Sequence, residues 1–437
     1  MTQLSSDDIT FTERLNRHPE LKVRMKSILD LTENTQGDII KADDAERQTI
    51  DAVRQLGNDI LQDWGNGRSA ASEAQLRKET IGIEGNGKKK VVWHTTYGDV
   101  TVIEQIFRKK GQQLRPFVDS ACVRNRSCSL PLQRVLVDFG ADHPFACVPK
   151  KLEEHYGIYV GTSTIQKITE QHASKMHEQE KVVLVSPNGE GCAIQVGEID
   201  GCMIPIVSIN ENAKDKRKNK TLGWKEARLS LTHEQGSMTP KFGAVFQGSV
   251  DDAGQSLLNT AILAGFGQNT HFHGVGDGAS WIANQVADKF GTQGSYLVDF
   301  YHVCEYLAEA AKSCANDEDN YSWMETQKND LKNNEYKKVL AHLKPNIEAD
   351  DIDEDKAPVR ACHRYLSNRT DQLDYKTAIE KGLPIGSGEI ESAHRYVIQK
   401  RLKLSGAWWK AANADSMLAL RVVRANDKFD DYWKKVA

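Results

Sequence analysis

The stretch His271–Leu307, HFHGVGDGASWIANQVADKFGTQGSYLVDFYHVCEYL, limits the folds open to this chain more than any other segment. Two short extended runs, HFHGVGDG and SYLVDFYH, each lead into a helical pattern, and each carries an aspartate where the strand runs out, Asp277 and Asp299. In α/β sheets the carboxyl ends of strands are where ligands and chemistry collect. Asp277 is followed by Gly278 and an amphipathic helix, which places its carboxylate at a strand-to-helix corner. Asp299 is followed three residues later by His302, a spacing that puts both on one face at a helix start. Taken alone, each aspartate reads as a helix N-cap. Two in succession, one paired with a histidine, direct attention to carboxylates elsewhere.

Upstream, GCAIQVGEIDGCMIPIVSI is extended and carries Asp200 in its middle. TLGWKEARLSLTHEQG and PKFGAVFQGSV are two more strand-like runs, and the helix AGQSLLNTAILAGF leads into the opening stretch. Three strands followed by alternating helix and strand is the order of a ribonuclease-H-like α/β domain. In that order Asp200, on the first strand, can lie beside Asp277 at the end of the fourth. Residues 308–380 leave this alternation; they are polar, helical in pattern and include the acidic run EADDIDED, so they read as a helical insertion. After them GLPIGSGEIESAHRYVIQKRLKLSGAWWK starts a helix near Glu389. Glu389 and Glu391 stand about 200° apart around such a helix, so only one can face a given site. The catalytic core is thus expected over 191–307 and 381–437, interrupted by 308–380.

The first 190 residues divide differently. Region 1–84 is helical: one amphipathic pattern spans 11–34, and a second helix is expected from Asp43 or Asp44 to a stop at GlyAsnGly, 65–67. Region 85–131 reads as a β-hairpin turning at Tyr97–Asp99. Region 132–190 carries a helix-turn-helix over Pro144–Glu180, with Gly157 and Gly161 in the turn. Its last helix, as a recognition helix, presents Ser163, Thr164, Gln166 and Lys167 outward; a plain helical hairpin is the alternative. The predicted fold class is multidomain α+β, a ribonuclease-H-like core with a helical insertion preceded by helical and helix-turn-helix regions that bind DNA.

The net charge of −4 does not announce a nucleic-acid binder, but charge is segregated. Asn212–Arg228, with Lys216, Arg217 and Lys218, and His394–Lys410, with Arg395, Lys400, Arg401 and Lys403, are strongly basic. Clustered cations of this kind suit a phosphate backbone, and solvated surface lysines are the plain alternative. No apolar run approaches the roughly 20 residues of a membrane span, and the polar, acidic start is unlike a signal peptide. Eight cysteines without a CxxC spacing argue against a zinc ribbon and a secreted disulfide framework. A cytoplasmic protein without zinc is expected.

Asp200, Asp277 and Glu391, from a strand centre, a strand end and a helix start, are the kind of set that clamps two Mg²⁺ ions, because Mg²⁺ takes hard oxygen ligands. Such a metal pair serves in-line phosphoryl transfer. The blocks GEIDG, WKEARLSL, GDGASWI, VDFYH and PIGSGEIESAHRYVIQKRLKLSGAWW resemble the ordered blocks of DDE transposases from bacterial insertion sequences, in particular the Kra-type group related to the Mutator-like transposases. The likeness runs through Phe11–Arg424 and includes the N-terminal FTERLNRHPELKVRMKSILDLTEN block and TTYGDV. It implies Asp200 and Asp277 as the two aspartates, Glu391 as the glutamate with Glu389 as the neighbouring alternative, and Asp299 with His302 as an accessory pair. It further implies Mg²⁺, with Mn²⁺ able to substitute, double-stranded DNA as element ends and target, a homodimer or higher assembly on DNA, and association with the nucleoid.

Overall fold

A computed structural model describes residues 6–124, 126–180, 189–209, 219–315 and 319–436. The protein is mixed α and β, with two sheets, and divides into two compact units, Met1–Thr169 and Glu170–Val436. Among the described residues no helix is long and apolar enough to cross a membrane.

The first unit opens with α1 (Ser6–Asn16), α2 (Pro19–Thr32) and α3 (Ala42–Glu79). Asp43 and Asp44 fall in the first turn of α3, where carboxylates favour the helix dipole. The expected stop at 65–67 does not occur: α3 runs straight through it. Gly65, Ser69 and Ser72 form its buried stripe, and small residues at that spacing let a helix approach a sheet closely. A Cβ on Gly65 would come within 2.8 Å of Val102 Cγ2. The glycine serves packing, and its propensity cost of about 1 kcal/mol is borne for that reason. Gly65→Ala is therefore expected to lower stability by about 1 kcal/mol or more through overpacking. Gly67→Ala, with open space around it, should raise stability by up to about 1 kcal/mol through helix propensity. Urea unfolding of the two variants reads this; equal signs would sink the packing argument.

The helix lies on the sheet of β1 (Glu84–Thr95), β2 (Gly98–Lys109), β3 (Gln112–Leu114) and β4 (Ser127–Cys128), ordered β3-β2-β1-β4. Thr95 pairs with Gly98, so the hairpin turns on Thr96 and Tyr97, slightly earlier than expected. After α4 (Pro116–Ser120) come α5 (Leu130–Asp142), α6 (Val148–Tyr156) and α7 (Thr162–Glu180). Leu132, Leu136, Val148, Leu152 and Ile165 share one small core. Gly157 ends α6 in the left-handed region at φ 64°, a conformation glycine adopts without steric cost.

The second unit is built on β5 (Ile194–Ile209), β6 (Lys220–Glu234), β7 (Lys241–Phe246), α8 (Val250–Leu263), β8 (His271–Gly276), α9 (Ser280–Phe290) and β9 (Gly294–Val298). The strand order is β7-β6-β5-β8-β9; β5, β6 and β7 are antiparallel, while β5, β8 and β9 run parallel. Each parallel step carries a helix as its crossover, which is what parallel pairing requires. Ile199 and Phe272 pack under α8 and α9 with Leu257, Ile282 and Val286. Val196 joins the opposite core, made by α10 (Phe300–Cys314), α11 (Asn320–Lys332), α12 (Tyr336–Leu343), α13 (Pro358–Ser367) and α14 (Tyr375–Glu380). Residues 308–380 thus belong to the same compact unit as the strands and cover one face of the sheet. The chain ends with α15 (Gly388–Ala393), a π-helical turn His394–Gln399, α16 (Lys400–Leu402), α17 (Ala411–Ala425) and α18 (Phe429–Val436).

Candidate active site

Side chains alternate along a strand, so Glu198, Asp200 and Cys202 share one face of β5. The last segment of the chain runs along that face. Glu198 Oε2 accepts the Ile390 N–H at 2.8 Å, at the first turn of α15. The group is 1% exposed, and its Oε1 has no partner. Burial pushes this carboxyl up to about 8, against the pull of the Ile390 N–H. Two residues on, Asp200 accepts from its neighbour Gly201 N at 2.7 Å and faces His394 Nε2 at 3.4 Å. At that distance the contact is an ion pair rather than a well-aligned hydrogen bond. Burial alone would lower the His394 pKa, yet Asp200 and Cys202 lift it to about 9, so the ring is a cation at neutral pH. Lys403 Nζ lies 3.7 Å from Cys202 Sγ further along the same face.

The parallel register pairs Glu198 with Val275. That pair is the last of the β5–β8 ladder: Asp200 lies two residues beyond it on β5, and Asp277 follows the end of β8 at Gly276. Asp277 is exposed, and its Oδ1 accepts from Ala279 N at 2.8 Å, which fixes one carboxylate oxygen against the corner.

Glu389 and Glu391 point to different sides of α15. Glu389 pairs with His233 of β6 at 3.1 Å, which holds its carboxyl below the usual glutamate range. Glu391 is exposed on α15 and lies three residues before His394. Among the described residues, no group of three or more His, Cys, Asp or Glu is gathered closely enough to hold a metal ion.

Asp299 sits elsewhere than an open ligand position. It is 6% exposed and both carboxylate oxygens are engaged. Oδ1 caps α10 by accepting from Tyr301 N at 2.6 Å and His302 N at 3.2 Å. Oδ2 accepts from Ser387 N at 2.8 Å and Ser387 Oγ at 2.6 Å. With Phe300 N donating to Ile385 O and His273 Nε2 beside Pro384 O, it stitches the turn before α15 to the ends of β8 and β9. His302 does not share that network through its ring: Nδ1 faces Glu305 at 3.3 Å, and the ring stands edge-on to Tyr306 and Tyr365. The expected pair is therefore split into a buried anchor and a half-exposed ring.

The expected DNA-contacting residues fare unevenly. Ser163, Thr164, Gln166 and Lys167 are all exposed on α7. Lys216, Arg217 and Lys218 lie outside the described residues. Arg395, Lys400 and Lys403 are exposed, but Arg401 is not displayed on the surface as expected. It is 2% exposed, with its guanidinium 4.7 Å from the Trp409 ring centroid. The cation is used in packing, which composition could not distinguish from its exposed neighbours. Glu198 was missed altogether. Its signal was there: an acidic residue inside an apolar strand run needs a partner when buried.

Residues 269–435 match the model of a family described as Uncharacterised protein family (UPF0236). The chain is also 24% identical over 348 residues to the "UPF0236 protein in vanSb 3'region" of Streptococcus gallolyticus, covering 77% of this chain and 73% of that protein. The matched stretch takes in Asp277, Asp299 and Glu391, and begins downstream of Asp200.

Proposed function

We propose that this chain is a DDE transposase of an insertion sequence, with a ribonuclease-H-like core that cleaves DNA at the element ends and joins the freed ends to target DNA. The observation that supports this reading is the parallel β5–β8 pairing, which ends at Glu198–Val275, two residues short of Asp200 on β5 and of Asp277 past the end of β8, with α15 docked on β5 through the Ile390 N–H to Glu198. Support for the fold comes from the strand order, an antiparallel β5-β6-β7 meander extended by parallel β8 and β9. On this reading Asp200, Asp277 and Glu391 are the residues that would hold Mg²⁺, and they suit it by ligand type, while among the described residues they are not gathered into a group that holds a metal ion. Bound there, the metal would supply charge stabilisation and activate the attacking oxygen.

The rest falls to the chain. Asp200 and Asp277 supply negative charge at the point of reaction, and the His394 cation offsets part of it. Asp299 and Glu198 hold the turn and first helical turn that carry Glu391. In cleavage, water oxygen bonds to phosphorus as the 3′ oxygen leaves; in joining, that 3′ hydroxyl attacks a target phosphorus and displaces the target's own 3′ oxygen. Cleavage consumes one phosphodiester and one water, leaving a 5′ phosphate and a 3′ hydroxyl that takes the proton; joining exchanges one phosphodiester for another, so no further reactant is needed. The α6–α7 pair and the exposed basic residues are the proposed DNA-binding elements. Two ends held together imply a homodimer or larger assembly on DNA, within the cytoplasm at the nucleoid.

The test is strand cleavage and joining on a labelled duplex carrying the element's own terminal repeat, with Mg²⁺ or Mn²⁺. Wild type is expected to cut and join. Asp200→Asn and Asp277→Asn should bind the duplex equally and react about 10³-fold more slowly or less, the loss of several kcal/mol of charge stabilisation. Binding without reaction in wild type under either metal points instead to a DNA-binding protein, and variants as active as wild type to a different site.

A further inference from the structure

The far end of the β5–β6 ribbon turns large apolar side chains to solvent. On β6, Thr221, Leu222, Gly223, Trp224 and Lys225 are all exposed, whereas Ala227, Leu229 and Leu231 further along are buried. Trp224 is 54% exposed, and Trp408, from the segment before α17, is 40% exposed. Trp224 pairs with Pro205, Leu222 with Val207 and Glu226 with Met203, and residues paired across a ladder share a face. Exposed Leu222 and Met203 therefore extend the Trp224 side of the ribbon. Trp408 is placed there by its neighbour. Trp409 N–H donates to Pro205 O at 3.2 Å and Val207 N–H donates to Trp409 O at 2.8 Å, so the segment runs beside β5 like a short strand. Trp409 turns inward, with the Arg401 guanidinium against its ring, and alternation sends Trp408 to the other side.

The two indoles do not satisfy each other. Their centroids are 6.3 Å apart at an angle of 58°, against 3.7 Å and 8° for the stacked Phe272–Phe290 pair in the core. Each keeps a ring face open, and together they form a notch. The charge around it has one sign. Lys220–Lys225 and Lys400–Lys410 hold Lys220, Lys225, Lys400, Arg401, Lys403 and Lys410 and no carboxylate; all six but Arg401 are exposed. The next acid along β6, Glu226, is already paired with Arg228 at 2.5 Å.

From this geometry we infer that Trp224 and Trp408 form a stacking site for an unpaired nucleobase, with the surrounding lysines on the phosphates of the same strand. An occupant of the notch must present flat apolar faces and carry negative charge. Single-stranded nucleic acid does both: every base has a π-face, and a cationic groove tracks the backbone. A duplex offers only the charge, because its bases are already stacked on one another. The site is separate from the proposed reacting groups. Asp200 points to the opposite side of β5 and lies five residues before Pro205, roughly 16 Å along the strand. The inference therefore does not rest on the cleavage reading or on any bound metal.

The experiment is binding of the full chain to a labelled oligothymidylate and to an abasic oligonucleotide of equal length, which keeps the phosphates and lacks the bases. Trp224→Ala and Trp408→Ala should each weaken oligothymidylate binding about 10-fold, the scale of one lost base–aromatic stack, and leave abasic binding as in wild type. Trp224→Phe and Trp408→Phe keep a ring and should recover most of the loss. Tyr321→Ala removes an aromatic side chain exposed elsewhere, on α11, and should bind both oligonucleotides as wild type does. Lys225→Gln should weaken both alike, since it removes a phosphate contact. A wild type that does not bind oligothymidylate overturns the inference, as do tryptophan variants that bind it normally or lose both oligonucleotides equally. Oligothymidylate binding retained in those variants while binding to phosphatidylcholine–phosphatidylserine vesicles or self-association is lost also overturns it, and assigns the face to a membrane or to a second copy.

Discussion

Asp299→Ala is expected to destabilise the sheet-bearing unit by about 3–5 kcal/mol, the sum of a lost helix cap and of charged hydrogen bonds to a buried turn. The carboxylate accepts four hydrogen bonds while nearly fully buried, so its removal leaves Tyr301 N, His302 N, Ser387 N and Ser387 Oγ without it. Urea unfolding of the variant should show a lowered midpoint with an unchanged slope. Asp277→Asn, on an exposed carboxylate, should stay within about 0.5 kcal/mol of wild type, as surface changes do. Asp299→Asn should fall between, since a carboxamide oxygen can still accept while its nitrogen meets donors. An Asp299→Ala chain as stable as wild type would remove the anchor role and return this residue to the reacting groups.

The second large effect separates two glutamates. If the proposed function holds, Glu391→Gln is expected to reduce strand cleavage about 10³-fold, the scale of losing one charge-stabilising ligand, with duplex binding retained. Glu389→Gln should cost less than about 10-fold, because its carboxylate is spent on the His233 ion pair, and a partly exposed pair contributes roughly 1 kcal/mol or less. Cleavage assays on both variants at saturating duplex decide it. The reverse ranking would mean that α15 presents its other side to the DNA.

Legibility in the sequence followed the reach of the signal. Periodicity marked α2, α6 and α7, and the alternation of extended and helical runs marked β8, α9, β9 and α10, because each of these is written in adjacent residues. Gly65–Gly67 misled because a glycine's local cost is visible in sequence, whereas the nearness of Val102, on another element, is not. Asp299 was noted as a cap, and the cap is there; what could not be read was Ser387, 88 positions away, taking up the second oxygen. Arg401 and Glu198 failed for the same reason in opposite directions. A basic run does not say which cation faces inward, and a strand does not name what covers its face. Asp200 and Asp277 were brought together from strand order alone; the structure makes β5 and β8 the parallel neighbours that order requires, and their ladder ends at Glu198–Val275, short of both aspartates.

The Glu198–Ile390 hydrogen bond spans 192 positions, and that span has a consequence for the timing of synthesis. Contacts between distant segments form late, since a long loop must close before they can. A chain emerging N-terminus first has both Asp200 and Asp277 well before Gly388 has been translated. On the proposed function, the third carboxylate arrives only as α15 docks on β5. On that reading, a chain not yet translated past Glu391 lacks one of the three carboxylates that cutting DNA would require.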